Sequence, residues 1–510
     1  MEQFLSDREK GPDMMNLIMD QWIPVKCTDG RRRIIAPWQM AEAGVYLPDW
    51  PRADFNIACL ELLVGLVYMA DPPADEEEWH GRKRPEPERL KERLASFAPA
   101  FFLLGDGPRF LQDHERLDGA PNPVDMLFID SAGGQTKRNN IDVMVHRDRY
   151  EALTLSEAAM ALYTLQNFAP SGGAGNRTSM RGGGPLVTLV DPGRELWDLV
   201  WLNVPFGRPS DMKALPWMRP TRTSEAGQVV QPSDQTRGFD VEAFFGMPRR
   251  LRLVEEGGRI TGVIQKPYGT NYAQWQHPLS PYYRLKAGSE LLPRHPRPGR
   301  FGYRNWLGVI VAQPASRQHS DGLAELALII REWNGGRRGD AGPEDSFSVI
   351  VAGWAMNNMS PRNFIQSRQP VRILSVDELD QLETLIKAAH MVAEMLNRAL
   401  VPLCSTGEAR EIQREEFYLK TETHLHDCIQ KIVRGTNPAS FWLRVLSRQA
   451  WSQFDVLLRS GLVDRPMKEM EKIMTAGKIL GLELRGYGRA GDLLFTALNI
   501  SRPEKKGKTA

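Results

Sequence analysis

The sequence predicts an α+β protein, with a large, loop-rich mixed N-terminal domain followed by a C-terminal four-helix bundle. Three observations predict it. Apolar residues make up 42% of the 510 positions and charged residues 25%, which are the proportions of a globular chain and not of a disordered or fibrous one. Up to about residue 370, short strand-like runs alternate with Pro- and Gly-rich connections, the punctuation of a mixed, irregular domain. Beyond Pro370, Leu379, Leu382, Ile386, Ala389, Ala393, Leu396 and Leu400 recur at alternating three- and four-residue spacing. That spacing gives a helix one apolar face and therefore something to pack against.

The first apolar pattern, Asn16 to Val25, reads as a strand, and Arg32 to Ile35 as its antiparallel partner across Thr28-Asp29-Gly30. Ala53 to Ala70 is apolar nearly all round, as a buried helix must be. Asp71 to Arg89, rich in Pro, Glu and Arg, reads as a solvated loop. Leu155 to Gln166 is helical. Two glycine clusters follow, Ser171 to Ser179 and Arg181-Gly-Gly-Gly184, parted only by Met180, and a strand from Leu186 to Val190 comes directly after them. Phe347 to Val351 is a strand that runs on into Gly353-Trp-Ala-Met-Asn357-Asn358-Met359-Ser360-Pro361-Arg362. Helices around 410–434, 438–460 and 466–482, broken at Gly435, Pro438 and Gly461 to Pro466, complete a four-helix bundle with the 379–400 seam. Residues 1–14 are expected to form an N-terminal extension, since Met14-Met15 directly precedes the first apolar pattern. The large domain is then 15–372, the bundle 373–500, and 501–510 a flexible tail.

Lys plus Arg number 65 against 63 Asp plus Glu, a formal charge of +2. Near-neutrality argues against a histone-like or arm-type nucleic-acid binder and leaves local patches open. Cys27, Cys59, Cys404 and Cys428 are too far apart for a C-x-x-C pair, so neither a zinc ribbon nor a disulfide framework is expected. No apolar run is read as reaching the ~18 residues of a membrane span, and Met1 to Asp13 is polar and mixed in charge, unlike a secretory signal. A soluble, cytoplasmic protein with no membrane partner is the expectation.

A P-loop needs G-x-x-x-x-G-K-[ST] with a helix directly after it. The nearest match, Gly175-Asn-Arg-Thr178, lacks the lysine, and Arg181-Gly-Gly-Gly-Pro185 cannot open a long helix. A nucleotide-hydrolase site is thereby excluded. Two uses of the glycines stay open: a flexible surface loop, or a backbone-lined loop that approaches a ligand closely and offers its N–H groups. The flanking Arg177 and Arg181 favour contact with a polyanion. His424-Leu-His426-Asp427-Cys428 has metal-ligating residue types, but i and i+2 on a helix point too far apart to converge on an ion. No nucleophile–base or zinc-protease pattern appears, so a non-enzyme with no cofactor is expected. Tyr282 to Trp306 interleaves basic residues with aromatics, which suits either a nucleic-acid face or a solvated loop over core aromatics. The adjacent Asn357 and Asn358 can serve base edges or a simple turn.

Several of these stretches together resemble the large subunit of the type I-E CRISPR Cascade surveillance complex, the CasA family. They are Met15 to Val25 (MNLIMDQWIPV), Ala169-Pro-Ser-Gly-Gly-Ala-Gly175, Met180-Arg-Gly-Gly-Gly-Pro-Leu-Val-Thr188, Gln276-His-Pro-Leu-Ser-Pro281 and Ala352-Gly-Trp-Ala-Met-Asn-Asn358. The resemblance spans about residues 15–500. It implies recognition of the protospacer-adjacent motif (PAM) in double-stranded target DNA and the start of its unwinding, while guide-RNA pairing reads the sequence. It implies as partners the other Cascade subunits with their guide RNA, the target duplex and a separate helicase-nuclease. Carried over by position, Gly172, Gly173 and Gly175, with Asn176 and Arg177, form a loop for the minor groove. Lys266 is a second contact, and Asn357, Asn358, Met359 and Ser360 form a wedge. Met144, Val145 and His146 fall where the family docks near the guide RNA's 5′ end. The chain departs from the pattern at Met359, where some relatives carry a polar wedge, and between Leu251 and Ile260, where some carry cysteines and this chain has none. A general RNA-binding subunit of another ribonucleoprotein, using residues 282–306, is the other reading.

Overall fold

Asn16 does not begin a strand. Its side-chain oxygen accepts from the amides of Ile18 and Met19, both at 3.1 Å, while its amide nitrogen donates to the Ala98 carbonyl at 2.8 Å. Asn16 makes a single antiparallel bridge with Phe102, and the turn its side chain closes ends the pairing there, as Asn side chains commonly do. The computed structural model describes residues 14–131, 149–173, 175–233, 239–312, 323–337, 347–357, 359–371, 374–461 and 465–502. It divides into two compact units, one of Met1–Pro298 with His319–Arg372, the other of Gly299–Gln318 with Ile373–Ala510.

In the first unit, β1 (Ile23–Cys27) lies between β2 (Arg32–Ile35) and β3 (Val45–Pro48) in a small antiparallel sheet. Next comes α1 (Ala53–Ala70), at the boundaries the sequence predicts. By its 18 residues and mean hydropathy of 1.6, α1 is long and apolar enough to cross a membrane, contrary to the sequence expectation, yet 89% of it is buried inside this unit. The stretch from Asp71 is not a loop, since it folds into α2 (Glu76–Gly81) and α3 (Pro87–Ala95). Asp75 caps α2 by accepting from the Glu78 amide at 2.9 Å. The buried Asp71 carboxylate gathers Arg82 and Arg89, neutralising charges that composition alone assigns to solvent.

The strand β4 (Asn122–Pro123) leads to α4 (Leu155–Phe168), which opens on a capping box: the Thr154 hydroxyl accepts from the Glu157 amide, and the Glu157 carboxylate accepts from the Thr154 amide. After the glycine clusters come β5 (Val187–Asp191) and α5 (Leu196–Leu202), then the hairpin β6 (Arg250–Glu256) and β7 (Arg259–Lys266), with β4 on the far side of β7. A third small sheet orders β10 (Leu323–Glu325), β8 (Tyr282–Arg284) and β9 (Leu292–Pro293), and α6 (Leu328–Glu332) follows it. The last sheet pairs β11 (Phe347–Asn357) with β12 (Ser360–Val371) on one side and β5 on the other. The β11–β5 register runs from Ser348↔Asp191 to Ala352↔Val187, so the outer half of the β11–β12 hairpin extends past β5.

The second unit holds α7 (Val376–Leu400), α8 (Gly407–Val433), α9 (Ala439–Gly461), α10 (Met467–Glu483) and a short α11 (Gly488–Ala497). It thus has a fifth helix that the four-helix reading lacks. Of the seam, Leu382, Ile386, Ala389, Ala393, Leu396 and Leu400 are all buried. Trp442 of α9 is fully buried against α7 and donates its indole N–H to the Leu385 carbonyl at 2.8 Å.

Candidate nucleic-acid interface

The first glycine cluster leaves the end of α4 and closes into a loop where the Ser179 amide donates to the Ala169 carbonyl at 2.9 Å. Inside it, the Asn176 amide donates to Gly173 O at 2.7 Å and the Gly172 amide to Asn176 O at 3.2 Å. Gly172 and Gly173 are exposed. Gly173 has φ +64° with nothing within 4 Å of where a Cβ would stand, so glycine is needed there for conformation alone. Gly175 (φ +78°) is needed for space as well, because a Cβ there would lie 2.8 Å from the Tyr268 amide nitrogen.

That contact joins the loop to the end of β7. The Tyr268 amide donates to Gly175 O at 3.0 Å, and Gln265 Nε2 donates to Asn176 Oδ1 at 3.0 Å. Lys266, half-buried at the end of β7, is cross-strand partner to Arg250, whose own guanidinium is taken up by Asp113 at 2.6 Å. Tyr268 is 42% exposed and held at φ +60°. Sequence reasoning misses it. Its one local signal is the turn-forming Pro267-Tyr268-Gly269, in which Gly269 passes against the Pro248 carbonyl too closely for any Cβ.

The β11–β12 hairpin reaches the glycine clusters through Met356, just before its tip. Asn357 and Ser360 are paired, leaving a two-residue connection in which Met359 is 50% exposed with φ +61°. Two-residue hairpins favour Asn-Gly, and here methionine occupies the position glycine usually takes. A bulky side chain in that region costs about 1–2 kcal/mol. Asn357 and Ser360 are also exposed. Three residues back, Met356 Sδ lies 3.1 Å from where a Cβ on Gly183 would stand, and Pro170 Cα 2.8 Å from the same point. Pro170 opens the glycine loop. A continuous chain of contacts in the first unit therefore joins the loop, Lys266 and the hairpin. Asn358, Met144, Val145 and His146 lie outside the described residues.

The arginines divide sharply. Arg177 is half-buried and donates its Nε–H to Ser224 Oγ at 2.9 Å. Arg181, expected to face a polyanion, instead points into the core and is 2% exposed. It makes a bidentate pair with Glu61 of α1 at 2.7 and 3.0 Å and also donates to Ser280 Oγ at 3.0 Å. His277 lies 3.8 Å from the same carboxylate, and burial, with the Arg181 charge, keeps its pKa well below the usual value. Arg249, which sequence reasoning also misses, lies beneath the glycine loop and donates to the Pro170 carbonyl at 2.5 Å. Burial pulls its pKa down to about 10. The run Pro248-Arg249-Arg250-Leu-Arg252 is its only sequence signal.

Of the aromatics in residues 282–306, Tyr282, Phe301, Tyr303 and Trp306 are all buried, leaving only the half-buried Tyr283 partly open to a base. Arg284 pairs with Glu325 at 3.3 Å, Arg300 with Glu422 at 2.7 Å and Arg304 with Glu411 at 2.9 Å. Among the described residues no group of three or more His, Cys, Asp or Glu is placed to hold a metal ion. His424 faces Asp427 at 3.5 Å, while Cys428 is buried, with its thiol pushed up to about 12 by desolvation.

A family model described as CRISPR-associated protein Cse1 matches residues 16–453. The chain superposes on Thermobifida fusca Cse1 with a TM-score of 0.70 at 16% identity, covering 95% of this chain and 98% of that one. On Thermus thermophilus CasA the TM-score is 0.69 at 18% identity, covering 92% and 99%. A chain of a CRISPR RNA-guided surveillance complex matches at 0.65 and 13% identity, covering 92% and 100%. At these identities the structural likeness is one of fold.

Proposed function

This chain belongs to the CRISPR-associated protein Cse1 family, and from that premise we propose that it is the non-catalytic DNA-recognition subunit of a CRISPR RNA-guided complex in the cytoplasm. It recognises the PAM in duplex DNA, wedges the duplex open to start the R-loop and helps to recruit the helicase-nuclease that cuts. The observation that carries this reading is the chain of contacts joining three unlike elements: a backbone-lined exposed loop, a lysine at a strand end, and a hairpin tip presenting an apolar side chain. A loop without side chains fits a minor groove of ~6 Å, where donor and acceptor patterns are sparse. Gly172, Gly173 and Gly175 with Asn176 and Arg177 enter that groove, and Lys266 neutralises a phosphate beside it. Asn357, Asn358, Met359 and Ser360 form the wedge. An inserted apolar side chain can offset the cost of unstacking a base step, on the order of a few kcal/mol. Met144, Val145 and His146 dock on the complex near the guide RNA's 5′ end. The RNA-binding alternative is weakened by the burial of Tyr282, Phe301, Tyr303 and Trp306, which leaves it Tyr283 alone among the aromatics of that stretch.

Gly173→Asp tests this with little steric ambiguity. The position is open, and aspartate tolerates positive φ better than most residues, so the variant adds chiefly a negative charge where phosphates would crowd. In the assembled guide-loaded complex it should assemble normally and bind PAM-bearing duplex at least tenfold more weakly than the parent, by gel shift. The same reactions with Mg²⁺ and no added nuclease should leave the duplex intact. Unchanged affinity in Gly173→Asp would remove the loop from the interface, and cutting by the chain itself would refute the non-catalytic assignment.

A further inference from the structure

Arg249 is only 7% exposed. Its backbone is fixed from both sides by Gln166, whose side chain accepts from the Arg249 amide and donates to its carbonyl, both at 3.0 Å. With the backbone fixed, burial and the bond to Pro170 keep the guanidinium against the loop above it. Nη2 donates to the Pro170 carbonyl, Nη1 lies 2.5 Å from where a Cβ on Gly172 would stand, and Nε is buried with no hydrogen-bond partner. No carboxylate among the described residues pairs with it, whereas the neighbouring Arg250 has Asp113 and the nearby Arg181 has Glu61. A buried cation without a counter-ion is costly to keep. This one lies directly against Gly172, which is exposed and has no side chain to stand between the charge and a ligand on the loop.

We infer that Arg249 is the counter-charge for one phosphate of a DNA duplex seated on the glycine loop, left unpaired until the DNA arrives. This rests on the proposed function and adds to it a source of affinity behind the loop. It also gives Gly172 a reason beyond shape: a side chain there would both collide with the guanidinium and thicken the layer between charge and phosphate. The competing account is a structural latch in which Arg249 matters only for its bond to Pro170.

Salt dependence separates the two. The guide-loaded complex carrying wild type, Arg249→Gln or Arg249→Lys is titrated with PAM-bearing duplex across a series of salt concentrations. The free full-length chains are melted without DNA. Losing one phosphate contact reduces the slope of log affinity against log salt by about 0.9, so the deficit of Arg249→Gln should narrow by about threefold between 50 and 200 mM salt. Arg249→Lys, which keeps the charge and loses the planar fork, should keep the wild-type slope. Arg249→Gln should melt no lower than wild type, because it removes an uncompensated buried charge and retains an amide donor for Pro170. An unchanged slope in Arg249→Gln, a lysine variant that behaves like the glutamine one, or a glutamine variant that melts lower or fails to fold overturns the inference in favour of the latch. A wild-type complex that fails to bind PAM-bearing duplex overturns the proposed function along with it.

Discussion

Three arginines near the glycine clusters carry the same charge and meet three fates, decided by what the fold sets beside each. Arg177 leans on a serine hydroxyl, Arg181 is locked to Glu61, and Arg249 has, among the described residues, a carbonyl and no carboxylate. Arg181 ties the second cluster to the core helix α1, and neither member of that pair can reach water. Arg181→Met should therefore destabilise the chain by about 3–5 kcal/mol, because it strands a buried carboxylate, while the double variant with Glu61→Leu should recover most of that loss. Denaturant midpoints of the four proteins check this, and a single variant as stable as wild type would contradict it. Which glycines form the loop was legible in the sequence from spacing and resemblance. The direction of Arg181 was not, because its partner lies 120 residues away and nothing local distinguishes it from Arg177.

Elements with strong periodicity were the most legible. The run from Ala53 to Ala70 is apolar on every side, and the helix ends where that run ends. Elements held by charge pairing were not: α2 and α3 form around the neutralised Asp71, which composition cannot foresee. The short α11 escaped notice because it follows Gly486 and opens on Gly488, both at positive φ, and buries little beyond Leu494 and Phe495. The α7 seam allows a direct test. Ile386 is fully buried, so Ile386→Asp places a charge in an apolar core and should unfold the bundle. Circular dichroism should show lost helicity and a lowered melting temperature; an unchanged trace would mean that the 379–400 face is not a core.

For the whole molecule, an α+β fold with helices gathered at the C-terminal end was legible from texture, and the family from a handful of ordered motifs. The physical link between those motifs was not. It runs through Tyr268, Gln265 and Met356, which meet the glycine clusters across long stretches of chain. On the proposed function the loop and the hairpin act in sequence: the loop holds the duplex, and Met359 then parts it. R-loop formation, followed by permanganate footprinting of the assembled complex, tests this on matched targets and on targets already mismatched beside the PAM. Pre-melting supplies the strand separation that Met359→Ala lacks, so it should rescue that variant and leave Gly173→Asp defective. Equal rescue of both variants, or of neither, would contradict the division of labour.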